Sequence, residues 1–224
     1  MFGGETKTRA GKIGIKHYMN QEEFNKKVAY NAALFNKQAE ENEFTPSMYY
    51  LFDKEPKELS SITYGKLYHD IFAAAVCGTL VLSDLTEKDS IEMKRGKIIK
   101  VELKTSYVNT KQVFLNTRGK IYVNDRTPLE NYVRASFGGY HEEDMPLYLV
   151  CCDATDKWSI DVVGAWQMDG VSAQKCLEEN KRNISLSKFL QHGKRKNTKV
   201  NSIGYGNWVG AMKQRLPKRV TRRL

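Results

Sequence analysis

The sequence predicts a mixed α/β fold. Three observations carry this expectation: amphipathic helices in the N-terminal third, a strongly alternating hairpin at 88–106, and two apolar strands near 147 and 160. The hairpin stretch, Lys88 to Ser106, reads KDSIEMKRGKIIKVELKTS. Its first half alternates weakly, Arg95-Gly96 supplies a tight turn, and Lys97 to Lys104 alternates strongly around the β-branched Ile99 and Val101. With a two-residue loop at Arg95-Gly96, Lys94 faces Lys97, Met93 faces Ile98 and Asp89 faces Glu102. Opposed residues of an antiparallel pair hold their Cβ atoms about 4.5–5.5 Å apart. Glu102 and Lys104 share that face, because strand side chains repeat every two residues. Two carboxylates and one ammonium converge, while Ile99, Val101 and Leu103 point into a core.

The other elements follow from caps, breakers and apolar spacing. Asn20 and Glu23 form an N-cap pair for a helix from Gln21 to about Glu41, with Phe24, Val28, Ala32 and Phe35 on its apolar stripe. Residues 1–19 read as a polar, basic arm or a short first strand. Thr45-Pro46 breaks the helix, and a tyrosine-rich connection from Met48 to Phe52 follows. Ser60 or Ser61 caps a second helix to about Cys77, striped by Ile62, Leu67, Ile71, Phe72 and Ala75 and stopped by Gly78. Thr79 to Ser83 is a short strand. Gln112 to Leu115 and Lys120 to Val123 flank Arg118-Gly119 as a second hairpin, whose polar residues either enter a DNA groove or extend the sheet. Pro128 starts a helix through about Phe137, ended by Gly138-Gly139. Pro146 opens Leu147 to Cys152, a continuous apolar run expected of a buried central strand, with Ile160 to Trp166 as its neighbour. Val171 to Asn180 and Leu186 to Gln191 read as helical. Asp153, Asp161 and Asp169 stand at strand ends, where aspartates are usually turn formers.

The hairpin's charged face has a chemical reading. Two carboxylates at this spacing can hold one or two Mg²⁺ ions, which keep waters and complete an octahedron with substrate phosphate oxygens. Such a metal lowers the pKa of a bound water and offsets charge on a scissile phosphate. A neighbouring lysine orients the attacking water or adds positive charge in the transition state. The plainer alternative is a half-exposed hairpin with solvated charges and a cross-strand ion pair, since short motifs match by chance.

Asp89, followed by Glu102-Leu103-Lys104 at the end of an apolar strand, resembles the signature of the PD-(D/E)xK nuclease superfamily. That superfamily includes type II restriction enzymes, phage nucleases, some homing endonucleases and junction resolvases. The resemblance spans about residues 60 to 170. It implies a restriction-endonuclease-like core, a central mixed β-sheet flanked by helices, and Mg²⁺-dependent phosphodiester hydrolysis. On it, Asp89 and Glu102 would bind metal and Lys104 would be the catalytic lysine. Two departures stand out. Lys88 precedes Asp89 where the signature has proline, and the upstream helical glutamate of many members has no clear counterpart. The YGKLYHD stretch offers only His69 or Asp70, so Asp70 is the candidate third carboxylate. Asp84 competes with Asp89 as first metal ligand, and Glu92 faces away from Glu102 in this register.

Charge distribution points the same way. The chain of 224 residues carries a net charge of +10. From Gly193 to Leu224 there are ten Lys or Arg and no Asp or Glu, so residues 1–192 are near neutral. Such an asymmetry suits a polyanion, most often nucleic acid. The chain is thus expected to divide into a nuclease core at 1–192 and a basic DNA-contacting segment at 193–224. Lys194, Arg195, Lys196, Lys199, Lys213, Arg215, Lys218 and Arg219 are its candidate phosphate contacts. Tyr205 and Trp208 within it either stack on nucleic acid or dock back on the core.

No apolar run reaches the ~18 residues of a membrane span, and the first residues lack a secretory apolar region. Cys77, Cys151, Cys152 and Cys176 lack metal-ligand spacing and read as buried, reduced thiols. The expectation is an intracellular, cytoplasmic protein, bacterial or phage-encoded. It would be a Mg²⁺-dependent, sequence-specific endonuclease acting on double-stranded DNA as a homodimer. The alternatives are a phage, homing or structure-directed nuclease of the same superfamily, or a non-catalytic basic DNA-binding protein.

Overall fold

A computed structural model describes residues 20–30, 73–81, 89–124, 127–136, 145–153, 155, 161–180, 183–198 and 203–218. Helix α1 (21–30) starts on a reciprocal cap. The Glu23 amide donates to Asn20 Oδ1 at 2.9 Å and the Asn20 amide to Glu23 Oε2 at 3.1 Å. Helix α2 (73–77) stops where expected: Gly78 takes a φ of 73°, and the Thr79 amide reaches back to the Ala74 carbonyl at 2.9 Å. The remainder of both expected helices, the 1–19 arm and the tyrosine-rich connection lie outside the described residues.

The chain then runs through β1 (Leu80–Val81), β2 (Asp89–Lys94), β3 (Lys97–Val108), β4 (Val113–Leu115), β5 (Ile121–Val123), β6 (Thr127–Pro128) and helix α3 (Leu129–Tyr132). It continues as β7 (Arg134–Ser136), β8 (Leu147–Asp153), β9 (Asp161–Met168), helix α4 (Gly170–Asn180), β10 (Asn183–Ser185), α5 (Leu186–His192), β11 (Lys194–Arg195) and α6 (Tyr205–Arg215). Among the described residues the central sheet has six strands in the order β1-β2-β3-β8-β9-β11. β3 and β8 run parallel and the other neighbours antiparallel, so the sheet is mixed. Helices flank it, and the fold is mixed α/β.

Core placement follows from alternation. Leu147 to Cys152 are buried without a break, as a strand covered on both faces requires. Leu147, Leu149 and Cys151 belong to the main core with Trp166, Met168 and the inward residues of α4, α5 and α6. Nearer the other edge, α1 lays Phe24 and Val28 against Leu80 and Ile91. Gly164 marks a tight approach in β9. A Cβ there would lie 2.8 Å from Trp166 Cη2 and 3.2 Å from Tyr205 Cβ, where α6 meets the sheet. Gly164→Ala is expected to cost about 1–3 kcal/mol by overpacking, read as an earlier urea midpoint with an unchanged slope.

Two segments differ from the sequence expectation. The helix expected from Pro128 to Phe137 is one turn, α3, followed by β7. Val133 and Ala135 are buried while Arg134 and Ser136 are exposed, and β10 supplies a partner with Ile184 opposite Ala135. Long-range pairing overrides the local helical preference there. The second hairpin does not lengthen the central sheet. β4, β5 and β6 form a separate three-stranded sheet that buries Val113, Leu115, Ile121 and Val123.

None of the four cysteines is in a disulfide, and all are buried. Burial pushes the Cys77 thiol up to about 12 and raises Cys151 and Cys176 as well. Because the thiolate is the reactive form, the native chain should react slowly with iodoacetamide at pH 8 and rapidly in guanidinium. Fast labelling of the folded chain would contradict this burial.

Candidate active site

The hairpin register is the one that alternation requires. Arg95 and Gly96 both take left-handed conformations, φ 51° and 74°, which is the signature of a two-residue type I′ turn. The turn sets Lys94 opposite Lys97, Met93 opposite Ile98 and Asp89 opposite Glu102. Asp89 is placed here by its backbone register. Glu102 and Lys104 lie on the same face of β3, and the Lys104 ammonium pairs directly with Glu102 Oε1. Their side chains are 14% and 25% exposed, so the pair sits at the boundary between core and solvent. On β8 their neighbours are Leu147 and Leu149, both fully buried. The Glu102 amide donates to the Pro146 carbonyl at 2.9 Å, which fixes the backbone where β8 begins. Asp70 and Asp84 lie outside the described residues. Among the described residues no group of three or more His, Cys, Asp or Glu could hold a metal.

The basic segment is built into the fold. Lys194 and Arg195 form β11 on the edge of β9, exposed at the surface. α6 buries Trp208 and Met212, the Trp208 indole donates to Asp153 Oδ2 at 3.0 Å, and Tyr205 meets Trp166 edge to face. The tail aromatics therefore dock on the core. Lys213, Arg215 and Lys218 are exposed, while Lys199 and Arg219 lie outside the described residues. Lys196 is buried, 8% exposed, and points into the protein.

Lys196 completes a polar cluster on the other face of the sheet. Its ammonium lies 3.4 Å from Glu92 Oε1, 3.5 Å from Gln167 Oε1 and 4.0 Å from the centre of the Tyr148 ring. The Tyr148 hydroxyl donates to Glu92 Oε2. Burial, reinforced by that bond and by the charge on Glu92, holds the Tyr148 hydroxyl far above its ordinary pKa, so it stays protonated. Strand alternation places Glu92 away from Glu102 but gives no sign of this partnership. The two charges are 104 positions apart, and no local pattern links them.

Asp153 and Asp169 serve local structure. Asp153 accepts from the Thr155 amide at 3.1 Å as well as from Trp208. Asp169 caps α4, accepting from the Ser172 amide at 2.8 Å and its hydroxyl at 3.1 Å, and these bonds hold its carboxyl below the usual range. No protein-family model, curated protein or solved structure matches the chain. No helix among the described residues is long and apolar enough to cross a membrane.

Proposed function

We propose that this protein is a Mg²⁺-dependent DNA endonuclease of restriction type, cutting double-stranded DNA as a homodimer. The carrying observation is the register that sets Asp89 opposite Glu102, with Lys104 two residues along on the same face. Carboxylate oxygens are the hard donors that Mg²⁺ takes, and a small protein donor set leaves room for water and phosphate oxygens. Asp89 and Glu102 would hold the ion, with Asp70 as a further candidate. Bound there, it would supply Lewis-acid polarisation and an acidified water.

The chain's own residues have distinct tasks. Glu102 and Lys104 aim each other at one point, so the ammonium is already placed beside the carboxylate site. Lys104 can donate to an attacking water or to a phosphate oxygen, where positive charge counts most as negative charge develops. Lys194, Arg195, Lys213, Arg215 and Lys218 offer exposed cations for backbone phosphates, and binding should weaken steeply with salt. One observation favours the non-catalytic DNA-binding alternative: Glu102 and Lys104 also satisfy each other as an ordinary ion pair. Incubating supercoiled plasmid with the protein in Mg²⁺ or in EDTA separates the two. Nicked or linear product in Mg²⁺ alone is expected, whereas retarded, uncut plasmid in both buffers would leave the binding alternative.

A further inference from the structure

We infer that a cleft at the end of β2 binds a phosphate group through Lys94 and Lys194. The cleft, ≈ 310 Å³, lies between Lys94, the start of β8 at Pro146 and Tyr148, and the turns at Met168–Asp169 and His192–Lys194. Its two exposed lysines come from β2, second in the sheet, and β11, its far edge, one closing β2 and the other opening β11. Among the described residues neither is engaged in a salt bridge. Lys94 also stands directly opposite Lys97, beside Arg95 in the turn. Like charges facing across a strand pair are destabilising, and an anion in the cleft would relieve that repulsion.

Among the lining side chains two lysines stand against one carboxylate. His192 is held by Glu179 at 2.9 Å. Asp169 is the one carboxylate of the lining; it accepts from the Ser172 amide and hydroxyl at the start of α4, and the Lys194 charge also helps hold its carboxyl below the usual range. One net positive charge of the lysine pair is therefore left for an anion. Gly193 brings backbone to the floor. A Cβ at that position would lie 2.8 Å from the Gln167 carbonyl oxygen and 2.7 Å from Phe189 Cε1, so the turn that presents Lys194 requires glycine. Pro146 joins the cleft to the candidate active site, because its carbonyl accepts the Glu102 amide at 2.9 Å. Assigning the phosphate to the substrate strand, as a phosphodiester flanking the scissile one, rests on the nuclease reading. Phosphate binding itself does not.

The test uses the whole chain in EDTA, so that no cleavage intervenes. Binding of a short DNA duplex across a salt series, and of inorganic phosphate by calorimetry, is compared for wild type, Lys94→Gln/Lys194→Gln and the control Lys175→Gln/Lys188→Gln. The control removes the same charge from α4 and α5, and all four lysines are exposed. The cleft variant should bind DNA roughly ten-fold more weakly than the control and lose about 0.9 from the salt slope for each phosphate contact removed. It should also lose inorganic phosphate binding. Loss of phosphate binding with DNA binding at the control's level would keep the phosphate site but assign it to a small phosphorylated ligand. Cleft and control variants that behave alike on both probes would overturn the inference, even if the wild type cleaves DNA in Mg²⁺. A wild type that never cleaves, with the cleft variant losing both probes, would remove the nuclease reading and leave the cleft.

Discussion

Lys104→Ala is expected to lower Mg²⁺-dependent DNA cleavage by about 10²–10³-fold while DNA binding in EDTA is retained. The substitution trims a side chain that is 25% exposed, on a strand whose backbone is held on both sides by β2 and β8. The fold should therefore tolerate it, and the loss should appear in the rate of strand cutting. Glu102→Gln keeps the shape of the carboxylate but removes its charge, so it should lose at least as much. The sharper comparison is with Glu92→Gln. Glu92 lies ten positions before Glu102 and opposite Ile99, on the other face of the sheet. Below its own melting temperature that variant should cut at close to the wild-type rate. Equal losses from Glu102→Gln and Glu92→Gln would mean that general destabilisation, and not the charged face of the hairpin, controls activity.

The second large effect is on stability. Lys196→Met removes the ammonium that lies against Glu92, Gln167 and the Tyr148 ring, leaving a carboxylate that is 21% exposed and still accepts from Tyr148. Breaking such a pair from one side should cost about 2–4 kcal/mol, between the values for surface and fully buried pairs. In a chain of this size that is a fall in Tm of roughly 10 °C. Adding Glu92→Gln should recover part of the loss, because the uncompensated charge is then gone. Thermal melts of the two singles and the double variant measure this coupling directly. Strictly additive losses would show that Lys196 does not stabilise through the charge on Glu92.

Local signals explain what the sequence revealed. Arg95-Gly96 between alternating segments fixes the turn, the turn fixes the register, and the register brings Asp89 opposite Glu102. Asn20 with Glu23 and the glycine at 78 work in the same way, each through a bond that closes within a few residues. Leu147 to Cys152 was legible because a strand buried on both faces has no polar face to show. The features that escaped depend on partners far along the chain. β7 forms because β10 lies beside it, although the local sequence around Leu129 favours a helix. β11 is two residues long and is defined by the edge of β9. Composition marks the tail as basic but does not separate Lys196, which turns inward, from Lys194 and Arg195, which turn outward. Of the candidate site, the β2–β3 pairing was readable, whereas the Glu92 cluster and the cleft beside Pro146 arise only from the assembled sheet.

The most direct measurement is a single-turnover cleavage assay of wild type and Asp89→Asn in Mg²⁺, with binding of the same duplex measured in EDTA on the same preparations. Asp89 is the residue that the hairpin register alone brings to Glu102, so it tests whether that register builds the site. Wild type should cleave in Mg²⁺, Asp89→Asn should not, and the two should bind DNA with equal affinity. Cleavage by Asp89→Asn at the wild-type rate, or DNA bound by wild type and never cut, would contradict it.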